Sequence, residues 1–350
     1  MKTKELQLIA EKNRKRLVEV VFKAKAGHIG GDLSCLNVMT ALYFHVMNID
    51  RLSLTIDHSP LTIDHSPLTI DHSPLTIDHS FDAPANVQCS MFNVQSPEAN
   101  VQCSMDNVQS SEANVQCSMF NDQWQNRDRF VLSKGHCVES LYVTLEAKGF
   151  LKPEILDTLG QFGSILSGHP TIEVPGIEVN SGALGHGLSI GLGMALAAKM
   201  DGKDYHTYVL MGDGEQGEGS IYEAAMAANR YHLDNLVAII DRNHLQISGN
   251  TEDVMPLDSI YDRWTAFGWD VKEMNGDSME SIVNTFDSID YHLGKPHLLV
   301  SQSTKGFGVS FMEGVAKWHH GVLNAEQCEA AVKEIEERIN RLINIEEKGE

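Results

Sequence analysis

Residues 209–219 read VLMGDGEQGEG, and this stretch, with the apolar run LVAII at 236–240, decides the fold of the chain. The first stretch is typical of a buried strand that ends in a glycine-rich turn, and the second is typical of another buried strand. The segment between them favours a helix. We therefore predict a strand, a turn, a helix and a second strand, with Asp241 and Asn243 following the second strand.

Helical and strand-like patterns alternate through most of the chain. Apolar residues at helical spacing predict an amphipathic helix within residues 3–25, and a glycine-rich turn with His28 precedes a predicted helix over 36–47. Later patterns include a short buried strand at 297–300 and a charged amphipathic helix from 325 to about 345. The alternation predicts an α/β fold, with three layers (α/β/α) and a mostly parallel sheet covered on both faces.

Residues 51–123 have a different texture, because LTIDHSP recurs every seven residues and ANVQCSM every fourteen. Units this short do not build a stacked solenoid, and the proline of each heptad interrupts both helices and strands. The repeated histidines and cysteines lack the spacing of metal ligands. We interpret residues 51–123 as a tandem-repeat insert that is disordered or artefactual. Residues 1–50 and 124–330, on either side of it, are predicted to form one domain. A C-terminal helix is predicted over 325–350.

The charge balance excludes some classes of partner. The chain has 27 Lys and Arg against 48 Asp and Glu, a formal net charge of −21, which repels nucleic acids and anionic membranes. No apolar run approaches the roughly 20 residues of a membrane helix, and the charged N-terminus lacks a signal-peptide core. The six cysteines contain no C-x-x-C pair. We predict a cytoplasmic protein with reduced thiols that binds neither nucleic acid nor membrane.

Two phosphate chemistries fit the glycine-rich turn. Gly212, Gly214 and Gly217 have the spacing of a dinucleotide-binding fingerprint, and Asp241 stands where an acid would bind the ribose. Three carboxylates in the same turn oppose this interpretation, since they would repel a pyrophosphate by several kcal/mol at low effective dielectric. A dinucleotide oxidoreductase stays as an alternative.

A divalent cation removes this repulsion. Asp213 then serves as a magnesium ligand, and Asn243 supplies a second oxygen from the end of the next strand. A right-handed strand-helix-strand crossover brings both strand ends to the same edge of the sheet. The sequence therefore predicts a magnesium site formed by residues thirty positions apart.

The chain resembles the N-terminal part of the transketolases, which are thiamine diphosphate enzymes. The resemblance rests on five motifs in the family's order and covers residues 1–50 and 124 to about 330, whereas the repeats have no counterpart in the family. The motifs are Gly27-His28, Ser133-Lys134-Gly135-His136, Ser167-Gly168-His169-Pro170, Gly182-Ala183-Leu184-Gly185, and Gly212-Asp213-Gly214 followed after about thirty residues by Asn243.

The resemblance implies a set of ligands for thiamine diphosphate and for Mg²⁺ or Ca²⁺. The cation would take Asp213, Asn243 and the backbone carbonyl of Leu245. The cofactor would contact residues of the glycine-rich turn, of two other motifs, and one residue beyond Asn243: His136, Leu184, Gly212, Gly214 and Ile247.

The resemblance also implies three catalytic histidines, His28, His169 and His319, which would exchange protons with sugar oxygens because imidazole titrates near neutral pH. His320 is the alternative to His319, which we favour because it adjoins Trp318. Three positions depart from the family pattern and bear on donor specificity and on the choice between the two histidines: Asp32, His186 and Leu323.

The resemblance implies a divided enzyme. Whole transketolases continue into a domain that binds the pyrimidine end of the cofactor and supplies a glutamate, and this sequence stops at Glu350. The prediction is a transketolase subunit that transfers a two-carbon ketol unit between sugar phosphates together with a C-terminal, pyrimidine-binding subunit, as an α2β2 assembly. Alternatives are a related thiamine diphosphate enzyme, such as a deoxyxylulose phosphate synthase, and a non-catalytic remnant that binds a partner.

Overall fold

A five-stranded parallel sheet forms the centre of the fold in the computed structural model, which describes residues 1–49, 125–247, 249–257 and 259–347. The predicted insert over 51–123 lies outside the described residues. The strands are β1 Arg129–Leu132, β2 Thr207–Gly212, β3 Leu236–Arg242, β4 Leu245–Gln246, β5 Gly249–Asn250, β6 Asp270–Asn275 and β7 His297–Gln302. They lie in the order β1, β2, β3, β7, β6 across the sheet, and a separate antiparallel pair joins β4 to β5.

The predicted strand-turn-helix-strand unit is confirmed. Strand β2 leads through a short 3₁₀ turn, Gly214–Gly217, into a helix at Gly219–Arg230, and β3 returns parallel to β2. The register pairs Gly212 with Asp241, so the two strands end at the same edge of the sheet. The residues after them are thereby neighbours, as the crossover rule requires.

Helices cover both faces of the sheet. Along β2, Tyr208 and Leu210 pack into one apolar cluster while Val209 and Met211 pack into the other, as the alternation of a strand buried on two sides demands. The predicted three-layer α/β/α class is confirmed. No helix in the described part of the chain is both long and apolar enough to cross a membrane. The α-helices are α1 Thr3–Ala24, α2 Ile29–Ala41, α3 Val138–Lys148, α4 Pro153–Leu156, α5 His186–Met200, α6 Gly219–Arg230, α7 Thr251–Val254, α8 Ile260–Ala266, α9 Met279–Asp287 and α10 Ala325–Glu347.

The glycine-rich stretch after His28 is helical, so the prediction of a turn there is wrong. Helix α2 begins at Ile29, is buried along its whole length, and continues into a π-helical turn at Leu42–Val46. A Cβ atom on Gly30 would lie 2.6 Å from the carbonyl oxygen of Trp318, so glycine permits the close contact between α2 and that loop. Tertiary packing here outweighs the low helix propensity of glycine.

Two other elements differ from the prediction. The sequence patterns do not predict β1, because an apolar run of only three residues, Phe130 to Leu132, cannot be assigned to a strand by periodicity alone. Helix α9 begins and ends earlier than the predicted 281–292. The hydroxyl of Ser278 accepts a hydrogen bond from the backbone N–H of Ser281, and this N-cap fixes the start of the helix.

Candidate active site

The carboxyl ends of β1, β2 and β3 border a cavity of about 400 Å³. Ligands of open parallel sheets bind in crevices at this edge. His169 does not line the cavity, but its ring packs against Gly182, which does. The other ten of the eleven predicted site residues all line the cavity: His28, His136, Leu184, Gly212, Asp213, Gly214, Asn243, Leu245, Ile247 and His319.

Asp213 is a buried hydrogen-bond acceptor at the start of the 3₁₀ turn after β2. Its Oδ1 accepts from the backbone N–H of Gly214 at 2.7 Å, and its Oδ2 accepts from the backbone N–H of His244 at 2.8 Å. Arg242 Nη1 lies 3.3 Å from the same Oδ2. His244 has a φ of 62°, a left-handed conformation that is uncommon outside glycine and that directs its N–H towards Asp213. Burial, and then the charge of Asp241, raise the pKa of Asp213.

Asn243 lies beside Asp213 at the end of β3. Its Oδ1 accepts from the backbone N–H of Leu245 at 3.2 Å, and its Nδ2 donates to Asp241 Oδ2 at 3.0 Å. The amide is therefore oriented by two neighbours, with its oxygen on the side of Leu245. An amide oxygen has two lone pairs, so Oδ1 keeps one that the N–H of Leu245 does not use.

Asp241 is not available to a ligand. Its carboxylate is buried, accepts a hydrogen bond from Lys134 Nζ at 2.5 Å and one from Ser34 Oγ at 2.6 Å, and is also bonded by Ser303. Burial alone would raise its pKa, but the Lys134 charge and these hydrogen bonds hold the pKa of Asp241 below its ordinary value. A ribose-binding acid must face the cofactor, so the structure argues against the dinucleotide-binding alternative.

Glu215 binds together three loops that line the cavity. Its carboxylate is buried and accepts from the backbone N–H of Gly185 at 2.8 Å, from that of Gly212 at 2.9 Å, and from the hydroxyl of Ser133. Hydrogen bonds within the chain therefore reduce the electrostatic repulsion that we expected between the Glu215 carboxylate and a pyrophosphate. Its role is to position the loops, and its burial raises its pKa.

Histidine rings converge on one side of the cavity. The centroid of the His28 ring lies 5.2 Å from that of His136, 5.8 Å from that of His319 and 4.8 Å from that of His320. Burial, and then neighbouring positive charge, lower the pKa of His28 and of His136 to about 4 and that of His319 to about 3. These rings are therefore neutral at pH 7. His319 lines the cavity and His320 is exposed, which supports the choice of His319.

His169 is exposed at the rim, on the loop that precedes α5. Burial, and then the charge of His136, lower its pKa. The positions that depart from the family pattern lie outside the cavity: Leu323 is buried in the core, and His186 is exposed at the start of α5.

Asp32 lies behind the histidines rather than in the cavity. It is fully buried on α2, and its Oδ1 accepts from the backbone N–H of Ser140 at 2.9 Å. Burial raises the pKa of Asp32 to about 6. Burial, and then the charge of Asp32, raise the pKa of Glu139 on α3 well above its ordinary value. Two acids therefore share an interior site that disfavours their charged forms.

Replacing Glu139 by Gln is expected to stabilise the protein at pH 7.5 by about 1 kcal/mol or more, since raising a pKa by one corresponds to about 1.4 kcal/mol. An acid whose pKa is raised by folding costs stability above its folded pKa, and this cost vanishes below its unfolded pKa of about 4.3. The gain should therefore shrink as the pH falls from 7.5 to 4. Urea unfolding at several pH values measures it, with exposed Glu223→Gln as the matched control. A loss of stability at pH 7.5 would contradict the assignment.

Sequence reasoning missed several residues that line the cavity. Lys134, Glu215, Gln246 and Lys305 all do so. Lys305 follows the buried strand β7, so the same rule that located Asp213 after β2 could have indicated it. Its ammonium lies 2.7 Å from His319 Nδ1 and 3.2 Å from the carbonyl oxygen of Leu245.

The cavity residues fit an anionic ligand held through a hard cation. Among the described residues, the buried atoms His28 Nδ1 and Gln246 Nε2 have no hydrogen-bond partner, and both residues line the cavity. Unsatisfied buried polar atoms of this kind indicate a place for a ligand. The described residues contain no group of three or more His, Cys, Asp and Glu side chains that could hold a metal. Asp213, Asn243 and Leu245 differ from such a group because they offer carboxylate, amide and carbonyl oxygens, which suit Mg²⁺ or Ca²⁺.

Known proteins resemble this chain over most of its length. A family model described as "Transketolase, thiamine diphosphate binding domain" matches residues 109–339. The chain is 60% identical to a subunit of the apulose-4-phosphate transketolase of Phocaeicola vulgatus, over 98% of each chain. It is 34% identical to a 6-deoxy-6-sulfo-D-fructose transketolase subunit of Clostridium sp., over 95% of this chain and 96% of the relative.

A solved structure has the same fold. The crystal structure of transketolase from Campylobacter jejuni matches with a TM-score of 0.72 and 25% sequence identity. The match covers 96% of this chain and 43% of that transketolase. The chain thus spans less than half the length of this solved enzyme, but nearly the whole length of the two subunit relatives.

Proposed function

The chain belongs to the transketolase family, and from this membership we propose that it is the N-terminal subunit of a divided transketolase. Residues 1–50 and 124–330 form its single diphosphate-binding domain. It transfers a two-carbon ketol unit between sugar phosphates with thiamine diphosphate and a divalent cation. The observation that carries the proposal is the cavity at the sheet edge, which ten predicted site residues line. The names of the two subunit relatives support the division into subunits.

Asp213, Asn243 and the carbonyl of Leu245 hold the cation, Mg²⁺ or Ca²⁺. His136 and the backbone of Gly212 and Gly214 bind the diphosphate, and Gln246 adds a donor that has no partner within the described residues. When bound, thiamine diphosphate supplies the nucleophilic carbon and the electron sink needed to break and form a carbon–carbon bond beside a carbonyl.

The apolar and imidazole side chains act on the rest of the cofactor and on the substrate. Leu184 and Ile247 pack against the cofactor ring and exclude water from it. His28 and His319 in the cavity, and His169 at its rim, bind sugar oxygens. Because burial keeps His28 and His319 neutral at pH 7, each ring carries one N–H donor and one acceptor nitrogen. The relative from Phocaeicola vulgatus is named as a subunit of an apulose-4-phosphate transketolase, and apulose 4-phosphate is therefore our candidate substrate for this chain.

A partner subunit completes the site. Ile247 is 77% exposed although it lines the cavity, and Phe162 is fully exposed on the loop that follows α4. Large apolar side chains in such positions favour coverage by another chain. We propose that a C-terminal transketolase subunit covers them, binds the pyrimidine end of the cofactor, and forms an α2β2 assembly with this chain.

Thiamine diphosphate with Mg²⁺ is expected to raise the melting temperature of this chain mixed with its partner, and NADH is expected to leave it unchanged. A ligand at 100 times its dissociation constant adds about 2.7 kcal/mol of stability, which corresponds to several degrees for a protein of this size. Differential scanning fluorimetry measures the shift, with Mg²⁺ alone as the control. Stabilisation by NADH without any effect of thiamine diphosphate would overturn the proposal. A coupled assay with ketose phosphates then tests ketol transfer, and cofactor binding without transfer would favour a non-catalytic remnant.

A further inference from the structure

Arg242, at the end of β3, contacts Asp213, and we propose that Arg242 is a positioning residue that makes the cation site select Mg²⁺ over Ca²⁺. It holds one oxygen of the Asp213 carboxylate within the chain, so that the carboxylate offers a cation only its other oxygen. The inference rests on the proposed function for the presence of a divalent cation at Asp213. The choice between the two cations follows from the contacts that Asp213 makes within the chain.

Three donors converge on the Oδ2 atom of Asp213. They are the backbone N–H of His244 at 2.8 Å, Nη1 of Arg242 at 3.3 Å and the hydroxyl of Thr251 at 3.3 Å. A guanidinium and a backbone N–H carry no acceptor, so the chemistry of these two donors fixes the direction of their hydrogen bonds. Each oxygen of a carboxylate has about two lone pairs, and three donors therefore leave Oδ2 none for a cation.

The other carboxylate oxygen, Oδ1, is less fully used. It accepts one hydrogen bond, from the backbone N–H of Gly214 at 2.7 Å, and so keeps a lone pair. The Oδ1 atom of Asn243 likewise accepts one hydrogen bond, from the backbone N–H of Leu245 at 3.2 Å. Asp213 and Asn243 therefore each offer a cation a single oxygen.

The donors to Oδ2 are themselves held in place. Nη2 of Arg242 donates to the carboxylate of Glu252 on α7, so the guanidinium bridges two carboxylates with its two arms. Thr251 is fully buried, and its backbone N–H donates to the carbonyl of His244 at 2.8 Å. A group supported in this way keeps one geometry, and turning the Asp213 carboxylate to offer both oxygens would break all three contacts.

The two cations differ in the ligands that they require. Mg²⁺ takes about six oxygens at about 2.0–2.1 Å in a nearly octahedral arrangement, whereas Ca²⁺ takes roughly six to eight at about 2.3–2.6 Å and can bind both oxygens of one carboxylate. Single oxygens from Asp213, Asn243 and the carbonyl of Leu245, completed by diphosphate oxygens and water, suit the smaller ion. A carboxylate that was free to turn would add one more oxygen and so favour Ca²⁺.

The positive charge of Arg242 does not by itself choose between the cations. Both are divalent, so the guanidinium repels them to nearly the same extent. Removing the arginine changes the affinity for both cations through its charge, but it changes the ratio of the two affinities through the freedom of the Asp213 carboxylate. The ratio therefore separates a positioning role of Arg242 from a purely electrostatic one.

The test is isothermal titration calorimetry of Mg²⁺ and, separately, of Ca²⁺ into the full chain with its partner and saturating thiamine diphosphate. We expect the unaltered chain to bind Mg²⁺ more tightly than Ca²⁺. Arg242→Met should shift the ratio of the two dissociation constants towards Ca²⁺ by about 10-fold, a usual effect of removing a partner of a metal ligand. Thr251→Val removes only a hydroxyl donor and should shift the ratio in the same direction by a smaller factor. Arg230→Met removes an exposed arginine at the end of α6 and should leave the ratio unchanged.

Binding of Ca²⁺ as tightly as Mg²⁺, or more tightly, by the unaltered chain would overturn the inference, as would an unchanged ratio in folded Arg242→Met. Circular dichroism shows whether Arg242→Met folds, and if it does not, the unaltered chain and Thr251→Val decide. If neither cation binds, or if Asp213→Asn binds both as the unaltered chain does, the proposed cation site is wrong and the inference fails with it. Cation binding that depends on Asp213 but lacks the preference for Mg²⁺ contradicts the inference alone.

Discussion

Replacing Asp213 by Asn is expected to weaken the binding of thiamine diphosphate in the presence of Mg²⁺ by at least about 100-fold, the upper end of the loss seen when a supporting contact of a metal ligand is removed. Asp213 is the one carboxylate of the proposed cation set, and an amide keeps an oxygen but loses the negative charge. The amide NH₂ would also face N–H groups of Gly214 or His244, which now donate to the carboxylate. The geometry and the charge of the site are therefore both lost.

Isothermal titration calorimetry of the chain with its partner measures this effect, and Asp253→Asn is the matched control. Asp253 is exposed on α7 and does not line the cavity. Without cofactor, Asp213→Asn should change the free energy of unfolding by only about 1–2 kcal/mol, because a lost hydrogen bond is offset by the relief of a buried charge. Equal cofactor affinity in the two variants would remove Asp213 from the cation site.

Replacing Lys134 by Met is expected to lower the free energy of unfolding by about 3–5 kcal/mol, the usual cost of leaving one member of a buried ion pair alone. Lys134 Nζ and Asp241 Oδ2 lie 2.5 Å apart, and each side chain is 2% exposed. Without the ammonium, the Asp241 carboxylate stays in the interior with only neutral donors. The stabilisation from Asp241 is present above its unfolded pKa and is lost as the pH falls through its lowered folded pKa.

Urea unfolding at pH 7.5 measures this loss, and Lys15→Met provides the comparison. Lys15 Nζ lies 2.6 Å from Glu336 Oε1, but these side chains are 32% and 49% exposed, so their separation should cost less than about 1 kcal/mol. The double variant Lys134→Met with Asp241→Asn should be more stable than Lys134→Met, because it removes both charges. A single-variant loss no larger than that of Lys15→Met would show that the buried pair contributes little.

Most of the sheet, and the meeting of Asp213 and Asn243 at one edge of it, could be predicted because both follow from local patterns. The run that ends in Gly212 and the run that ends before Asp241 each fix a buried strand. The crossover between parallel strands then requires Asp213 and Asn243 to meet at one edge. Where the local pattern is ambiguous the prediction is incomplete, as for the four residues of β1 and for the helical glycines after His28.

The sequence by itself therefore determined the class of fold, the edge of the sheet that carries the cavity, and most of the residues that line it. Only the tertiary structure decided which charges are paired and which are buried. Lys134 and Asp241 are 107 positions apart, and Asp32 meets an acid on another helix. The reason is physical: the energy of a charge depends on burial and on the partners within hydrogen-bonding distance. Packing sets both, and residue spacing along the chain does not.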